Sequence, residues 1–380
     1  MTPALRRLPA YPMAQLQARK AALAAAGTPI IDFGIGDPVE PTAPAIRAAL
    51  AAAIPEVSQY PSVAGTPALR RAVAGYLRRR FAVECDPERA ILPSAGSKEA
   101  IFHLALALLD PATGRDGVVF GTPGYPVYES SALFAGGRAV PMVLERSRGF
   151  RLELERLGAA ELARTAIAWI NYPHNPTGAC VDRAYLRAQA DIAAAHGIVL
   201  ASDECYQDLW FADAVPPPSL LQERTAGVLA FHSCSKRSGM TGYRSGFIAG
   251  DPTLIAELRR WRMHFGVGSP AFVEAAAAVA WADDAHAAQR RAIFAAKHAV
   301  ISQGLAERGL HVLPSQAGLY VWAQAPGGNA DAYAARCLER GIVVSPGGFF
   351  GAGGEGWFRL ALVPTVEQCR AAIAAWPEPL

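Results

Sequence analysis

Lysine is nearly missing from this chain. Of its 36 basic residues only four are lysine (Lys20, Lys98, Lys236 and Lys297), and the rest are arginine. That preference reads as genome composition, which makes each retained lysine informative. An excess of one charge is missing too: 36 Lys and Arg face 33 Asp and Glu, a net +3 with both signs scattered. The balance gives no surface for nucleic acid or an acidic membrane. The six cysteines (Cys85, Cys180, Cys205, Cys234, Cys337, Cys369) contain no C-x-x-C pair, which argues against a zinc site or a disulfide framework, so no metal is expected. No uncharged apolar run is long enough to span a bilayer: "EAAAAVAWADDAHAA" is broken by charge and reads as helix. The start, "MTPALRRLPAYPM", lacks the apolar centre of a signal peptide. A reduced, cytoplasmic protein is the expectation.

What is present suits a compact enzyme of two domains: 380 residues, 52% hydrophobic and 18% charged. Short apolar runs recur at "DGVVFGTP" (116–123), "AIAWINYP" (166–173), "GIVLASDE" (197–204) and "GVLAFHSCS" (227–235). Helical stretches such as "DRAYLRAQADIAAAHG" lie between the last three. Near-continuous apolar strands alternating with helices predict an α/β fold with a mostly parallel sheet, covered by helices on both faces. "RSGFIAGD" (244–251) follows too soon for a crossover helix and is expected to run antiparallel. "SKEAIFHLALALLD" (97–110) has its apolar residues at helical spacing. From about residue 285 a long helix leads to "LYVWAQA", a helix near 330–340, "GIVVSP" and "WFRLALV", a smaller α+β unit. The expected division is residues 1–45 packing with the small unit, 46–284 as the large domain, and 285–380 as the small one. Lys20 and Lys297 are expected in charged amphipathic helices.

Open parallel sheets bind ligands beyond the carboxyl ends of their strands. Four candidate strands each meet a distinctive polar residue there: Tyr125, Asn175, Asp203 and Lys236. A shielded lysine at a strand end can lose enough basicity to attack a carbonyl, and among the four lysines only Lys236 follows a buried strand. Asp203 can hold a protonated heteroaromatic nitrogen, and Tyr206 can donate to a phenolate-like oxygen. Ser233, Ser235 and Arg244, with the backbone N–H groups that open helix 97–110, form a candidate phosphate cup, and Lys98 sits where it can assist. A phosphate, a pyridinium nitrogen, an oxyanion and an aldehyde are the features of pyridoxal 5′-phosphate (PLP).

At this point the sequence resembles the fold-type I PLP enzymes, specifically the class I/II aminotransferases. "YPSVAGTPALRRAV" (60–73), "SAGSKEAIF" (94–102), "TPGYPVY", "NYPHNPTG", "SDECYQDL", "SCSKRSGMTGYRSGF" and "WFRLALV" occur in the family's order and spacing. The resemblance implies that Lys236 links to the cofactor aldehyde and later, as a free amine, shuttles a proton. Asp203 would keep the pyridine nitrogen protonated, Tyr206 and Asn175 would bind the ring oxygen, and Tyr125 would stack on the ring. Gly96, Ser97 and Lys98 would meet the phosphate with Ser233, Ser235 and Arg244. Tyr60 would reach the phosphate of a neighbouring subunit, implying a homodimer with shared active sites. Arg359 would clamp the substrate α-carboxylate, and the backbone of Gly36 would lie beside the substrate. "SDECY" departs from the family's usual pattern at Cys205, read as a packing residue. The finer likeness is to N-succinyldiaminopimelate aminotransferases, implying an acidic long-chain amino acid paired with glutamate and 2-oxoglutarate. Aspartate and LL-diaminopimelate aminotransferases and PLP-dependent C–S β-lyases share most of the framework.

Three rival readings fail on sequence. "SCSK" matches the S-x-x-K serine nucleophile, but no S-D-N or K-T-G follows. "GAGGEG" (351–356) matches a dinucleotide fingerprint but runs toward a strand, so it reads as a loop at the edge of the site. A PLP-binding transcription regulator would need a DNA-binding module before residue 45, which the sequence leaves no room for.

Overall fold

A computed structural model describes residues 3–7, 20–25, 27–211 and 214–378. The stretch "LPAYPMAQL" lies outside the described residues. Twelve strands are described: β1 (Ile31–Asp32), β2 (Ile91–Ser94), β3 (Gly117–Thr122), β4 (Arg138–Val143), β5 (Thr165–Asn171), β6 (Val199–Asp203), β7 (Val228–Ser233), β8 (Gly246–Gly250), β9 (Tyr320–Gln324), β10 (Ile342–Val343), β11 (Ser345–Pro346) and β12 (Trp357–Ala361). Seven of them form one sheet in the order β2-β8-β7-β6-β5-β3-β4. The five strands β3 to β7 pair parallel, while β8 runs antiparallel to both its neighbours. The short link after β7 turns β8 back, as its length requires.

The sheet divides its side chains by period-two alternation. Val118, Ile167, Trp169 and Phe231 pack on one face with Ile101 and Leu104 of the helix Ser97–Leu108. Val119, Ala168, Ile170 and Leu200 pack on the other with Leu69, Val73 and Leu77 of the helix Pro67–Phe81. Every residue of β5 is buried, the signature of a strand covered on both faces. Each large aliphatic or aromatic side chain so placed contributes about 1.5–3 kcal/mol of transfer free energy.

A second, three-stranded sheet has the order β11-β12-β9, and β1 pairs parallel with β10. The segment near residue 31 is thereby stitched to a strand more than 300 residues away. A third core joins Phe33, Phe294, Leu305, Tyr320 and Phe358 to Tyr206 and Leu209, which follow β6. The carboxyl edge of the large sheet therefore meets the small sheet at a seam.

Three features depart from the sequence expectations. β2 and β4 were not foreseen as strands; each holds a proline, Pro93 and Pro141, which weakens a strand signal. Both are the outermost strands of their sheet, where a missing donor is tolerated. The run "EAAAAVAWADDAHAA" is two helices, Ala271–Ala282 and Ala285–Glu307. The break comes at Asp283, whose carboxylate accepts the backbone N–H groups of Ala285 (2.9 Å) and His286 (3.2 Å) and so caps the second helix. Lys297 is not on a charged surface but fully buried. Its ammonium donates to Glu40 and to the carbonyls of Leu362 (3.1 Å) and Val363 (3.3 Å), matching three donors to three acceptors.

Lys297→Met should cost about 3–5 kcal/mol, because it strips the largely buried Glu40 carboxylate of its ion-pair partner. Chemical denaturation measures it. The double variant Glu40→Leu/Lys297→Met should regain most of the loss, and an unchanged midpoint in the single variant would show that the pair anchors nothing.

Candidate active site

The last residue of β5, Asn171, donates from Nδ2 to the carbonyl of Asp203 (2.8 Å) and accepts at Oδ1 from the amide of Asn175 (2.9 Å). One side chain thus fixes the main chain at two strand ends. The Asp203 carboxylate closes β6. Its Oδ2 accepts from the Tyr128 hydroxyl at 2.8 Å, and its Oδ1 accepts from the Cys205 amide at 3.3 Å. Burial pushes the Asp203 pKa up, against the pull of these donors and of His232.

Lys236 lies in a single helical turn, Cys234–Arg237, directly after β7. Its amine, half-buried, donates to the carbonyl of Gly36. Burial lowers its pKa to about 8; Asp37 and Cys205 oppose the shift, while Arg359 and Arg244 assist it. Tyr206 and Tyr320 share a hydrogen bond between hydroxyls at 2.8 Å. Arg359, on β12, is buried over the rings of Tyr320 (4.3 Å) and Phe350 (4.5 Å). Its guanidinium donates to Asn175 Oδ1 (3.0 Å) and to the Gly34 carbonyl (2.7 Å). Arginine only donates, so the Asn175 amide must turn its oxygen to Arg359 and its NH₂ away.

A cradle opens beside this cluster. Gly96 precedes the helix Ser97–Leu108 with φ 82°, and a Cβ there would stand 2.4 Å from Arg244 Nη2. Glycine lets the Arg244 guanidinium lie against the helix N-terminus, whose first amides have no intrahelical acceptor. Arg244 itself holds φ 58°, a left-handed conformation costly for a side-chain-bearing residue. The Ser94 hydroxyl is buried without a hydrogen-bond partner among the described residues. A Cβ on Gly246 would come within 3.2 Å of Ser94 Oγ and of the Ser97 amide. Amides, hydroxyls and a guanidinium make a donor set for an anion. With a weakly basic amine and a buried carboxylate alongside, the residues fit a phosphate-bearing pyridine aldehyde.

Residues 28–375 match the aminotransferase class I and II family. The chain belongs to that family. It is 36% identical to an LL-diaminopimelate aminotransferase of Gloeobacter violaceus over 97% of this chain and 95% of that one. It is 38% identical to a probable aminotransferase of Mycobacterium tuberculosis over 96% of this chain and 84% of that one. Among solved structures, an aminotransferase from Neisseria meningitidis superposes with a TM-score of 0.91 at 30% identity, covering 99% of this chain and 100% of that chain. The protein is thus a PLP-dependent aminotransferase of fold type I, acting on small amino and oxo acids. Among the described residues no helix is long and apolar enough to cross a membrane, and no cluster of His, Cys, Asp and Glu could hold a metal.

The fold brings together most of the residues singled out from sequence. Lys236 meets Gly36, Asn175 meets Arg359, and Gly96 lies under Arg244. Ser233 turns its hydroxyl to the Ser235 amide (3.1 Å), closing the turn before Lys236. Lys98 is exposed on the first turn of its helix. Tyr60 is fully exposed, at 102% of its reference area. Cys205 is more than packing: its thiol meets the Ser97 hydroxyl and Asp203, and it feels the charge of Lys236. Sequence reasoning passed over Tyr128, Asn171 and Tyr320. Asn171 had a signal, a lone amide ending an apolar strand. Tyr128 had one too, standing three residues after Tyr125. Tyr320 had none, because it reads as one more apolar residue of "LYVWAQA".

In the cofactor-free protein, amine-directed labelling of Lys236 should rise with pH around a midpoint near 8, well below the ordinary lysine value of about 10.4. Burial disfavours the charged form, so the reactive free base exists at lower pH. Peptide mapping after brief acylation across pH 6–11 reads the midpoint, and one above 10 would remove burial as a control on this amine.

Proposed function

We propose that this aminotransferase exchanges an amino group between the glutamate/2-oxoglutarate pair and a diaminopimelate, taken as the free LL-diamino acid. The likeness to an LL-diaminopimelate aminotransferase along 97% of the chain carries this reading. It supports the free diamino acid better than the N-succinylated oxopimelate expected from sequence motifs.

In this reading, the Arg244 guanidinium, the first amides of the helix that begins at Ser97, and the hydroxyls of Ser233 and Ser235 hold the phosphate, with Lys98 at the rim. Tyr125 lies against the ring. When bound, PLP supplies an aldehyde for an amine and a ring that accepts the electron pair left at the substrate's α-carbon. Lys236 would hold the aldehyde end, and its weakly basic amine would take up and return a proton at Nζ. Asp203 would face the ring nitrogen as an anion. Tyr206 and the NH₂ group of Asn175 donate to the ring oxygen. Arg359 offers a planar pair of donors to the α-carboxylate beside the Gly36 backbone. Residues 46–284 act as the cofactor-binding unit, and 285–380 with the segment before 46 as a smaller one; the β1–β10 pairing supports the second grouping. Six unpaired cysteines suit a cytoplasmic enzyme.

Purified enzyme should form glutamate from 2-oxoglutarate fastest with LL-diaminopimelate, ahead of aspartate and N-succinyl-LL-diaminopimelate. In the same assay Arg359→Ala should lower kcat/KM about a hundredfold or more for every donor, the usual effect of removing one partner of a buried charge pair. Preference for the succinylated donor would return the substrate to the sequence-based reading. Release of pyruvate from a cysteine thioether without glutamate would make the enzyme a lyase.

We also propose a homodimer in which Tyr60 enters the partner's site. Its full exposure beside exposed Ile54 and Val57 supports a covered surface. Inactive Lys236→Ala and impaired Tyr60→Phe subunits, mixed and refolded, should differ in activity from the sum of the two; a strictly additive mixture would place Tyr60 outside the site.

A further inference from the structure

We infer that Tyr128 is a positioning residue for Asp203, whose phenol keeps the carboxylate oriented and charged at the ring-nitrogen end of the site. The inference rests on the reading of Asp203 given above. Tyr128 is 3% exposed, and its hydroxyl donates to Asp203 Oδ2 at 2.8 Å. Its ring cannot turn freely: it stacks on Trp169 (5.0 Å, 18°) and meets Tyr125 edge-on (5.7 Å, 83°). The phenol is therefore aimed by packing, and the carboxylate follows it. Desolvation, and then the charge of Asp203, hold the Tyr128 hydroxyl well above the usual tyrosine range, so it remains a donor throughout the working pH range.

The setting explains why Asp203 needs such a partner. Burial favours its neutral form, and a neutral carboxyl cannot pair with a ring N–H⁺. The opposing groups are few. Cys205 offers its amide at 3.3 Å and its thiol, and His232 acts from β7, itself 3.1 Å from the Glu204 carboxylate. Tyr206 and Tyr320 stand farther off and feel the Asp203 charge without bonding to it. Tyr128 provides the short, charge-assisted bond, a kind worth about a tenfold to hundredfold bias toward the ionised form. Because Oδ2 is held on the Tyr128 side, the carboxylate cannot swing about its own bond. The short stretch "GYPVY", which runs into the helix Val127–Phe134, thus carries both Tyr125 and the side chain that holds Asp203.

Tyr128→Phe keeps the ring and its packing and removes only the hydroxyl. A donor to the charged form lowers a pKa, so its loss raises that of Asp203. In the holoenzyme, kcat with glutamate should fall about tenfold or more with KM within about twofold, and the acid limb of the kcat profile should move to higher pH. In the cofactor-free protein, infrared difference spectra should show the Asp203 carboxyl band, assigned by its absence in Asp203→Asn, titrating at higher pH than in wild type. Infrared and kinetic titrations that superpose on wild type would overturn the inference. If Asp203→Asn keeps wild-type kcat, the reading of Asp203 as the ring partner fails instead, and the infrared titration alone then decides whether Tyr128 governs this carboxylate.

Discussion

Asn171 uses both ends of its amide on the main chain of its neighbours, and the rest of the site hangs from those two bonds. One fixes Asp203 at the end of β6, and the other fixes Asn175 in the turn after β5. Asn175 then accepts from Arg359, which also donates to the carbonyl of Gly34. Four segments far apart in sequence are joined through groups that are all buried or nearly so. A buried amide left without a partner costs about 1–3 kcal/mol, so each bond holds the next in register. The backbone conformation at the strand ends is in this sense a consequence of side-chain satisfaction as much as of the sheet ladder.

Burial works on Lys236 and Asp203 in one direction, toward neutrality, whereas the proposed chemistry asks for opposite outcomes. Lys236 benefits: desolvation and the nearby charges of Arg359 and Arg244 loosen its proton. In that reading Asp203 resists the same force through the donors around it and the pull of His232. The site is accordingly asymmetric. Asp37 and two arginines, Arg359 and Arg244, act on the amine, while a phenol, an amide, a thiol and His232 act on the carboxylate. The scarcity of lysine fits this economy: arginine serves most structural charges, with Lys297 an exception, but cannot release a proton at neutral pH.

Much of this was legible in the sequence. The apolar runs at 116–123, 166–173, 197–204 and 227–235 marked four of the five parallel strands, and the polar residue at or just beyond the end of each pointed to the candidate site. Edge strands were not legible, because Pro93 and Pro141 erase the alternation that would reveal them. Lys297 was misread because helical periodicity reports which face a residue occupies and not what covers that face; the cover comes from Glu40 and the loop after β12. Tyr128 escaped for a related reason: its place three residues after Tyr125 was the one hint, and an aromatic residue on an apolar helical face otherwise reads as core until its hydroxyl is seen to reach Asp203. The substrate's distal end leaves the weakest trace, since it is read by side chains that no local rule constrains.

The bonds around Glu40 have one further consequence. Lys297 ties Glu40 to the carbonyls that follow β12, Arg290 donates to the Glu40 and Pro41 carbonyls, and β1 is laced to β10. Gly34 and Gly36 lie between these two fastenings. The stretch that lines the site therefore cannot lift away as a loose flap without baring an ammonium in the interior. Displacement of this stretch is thus coupled, through these bonds, to the long helix Ala285–Glu307 and to the loop after β12.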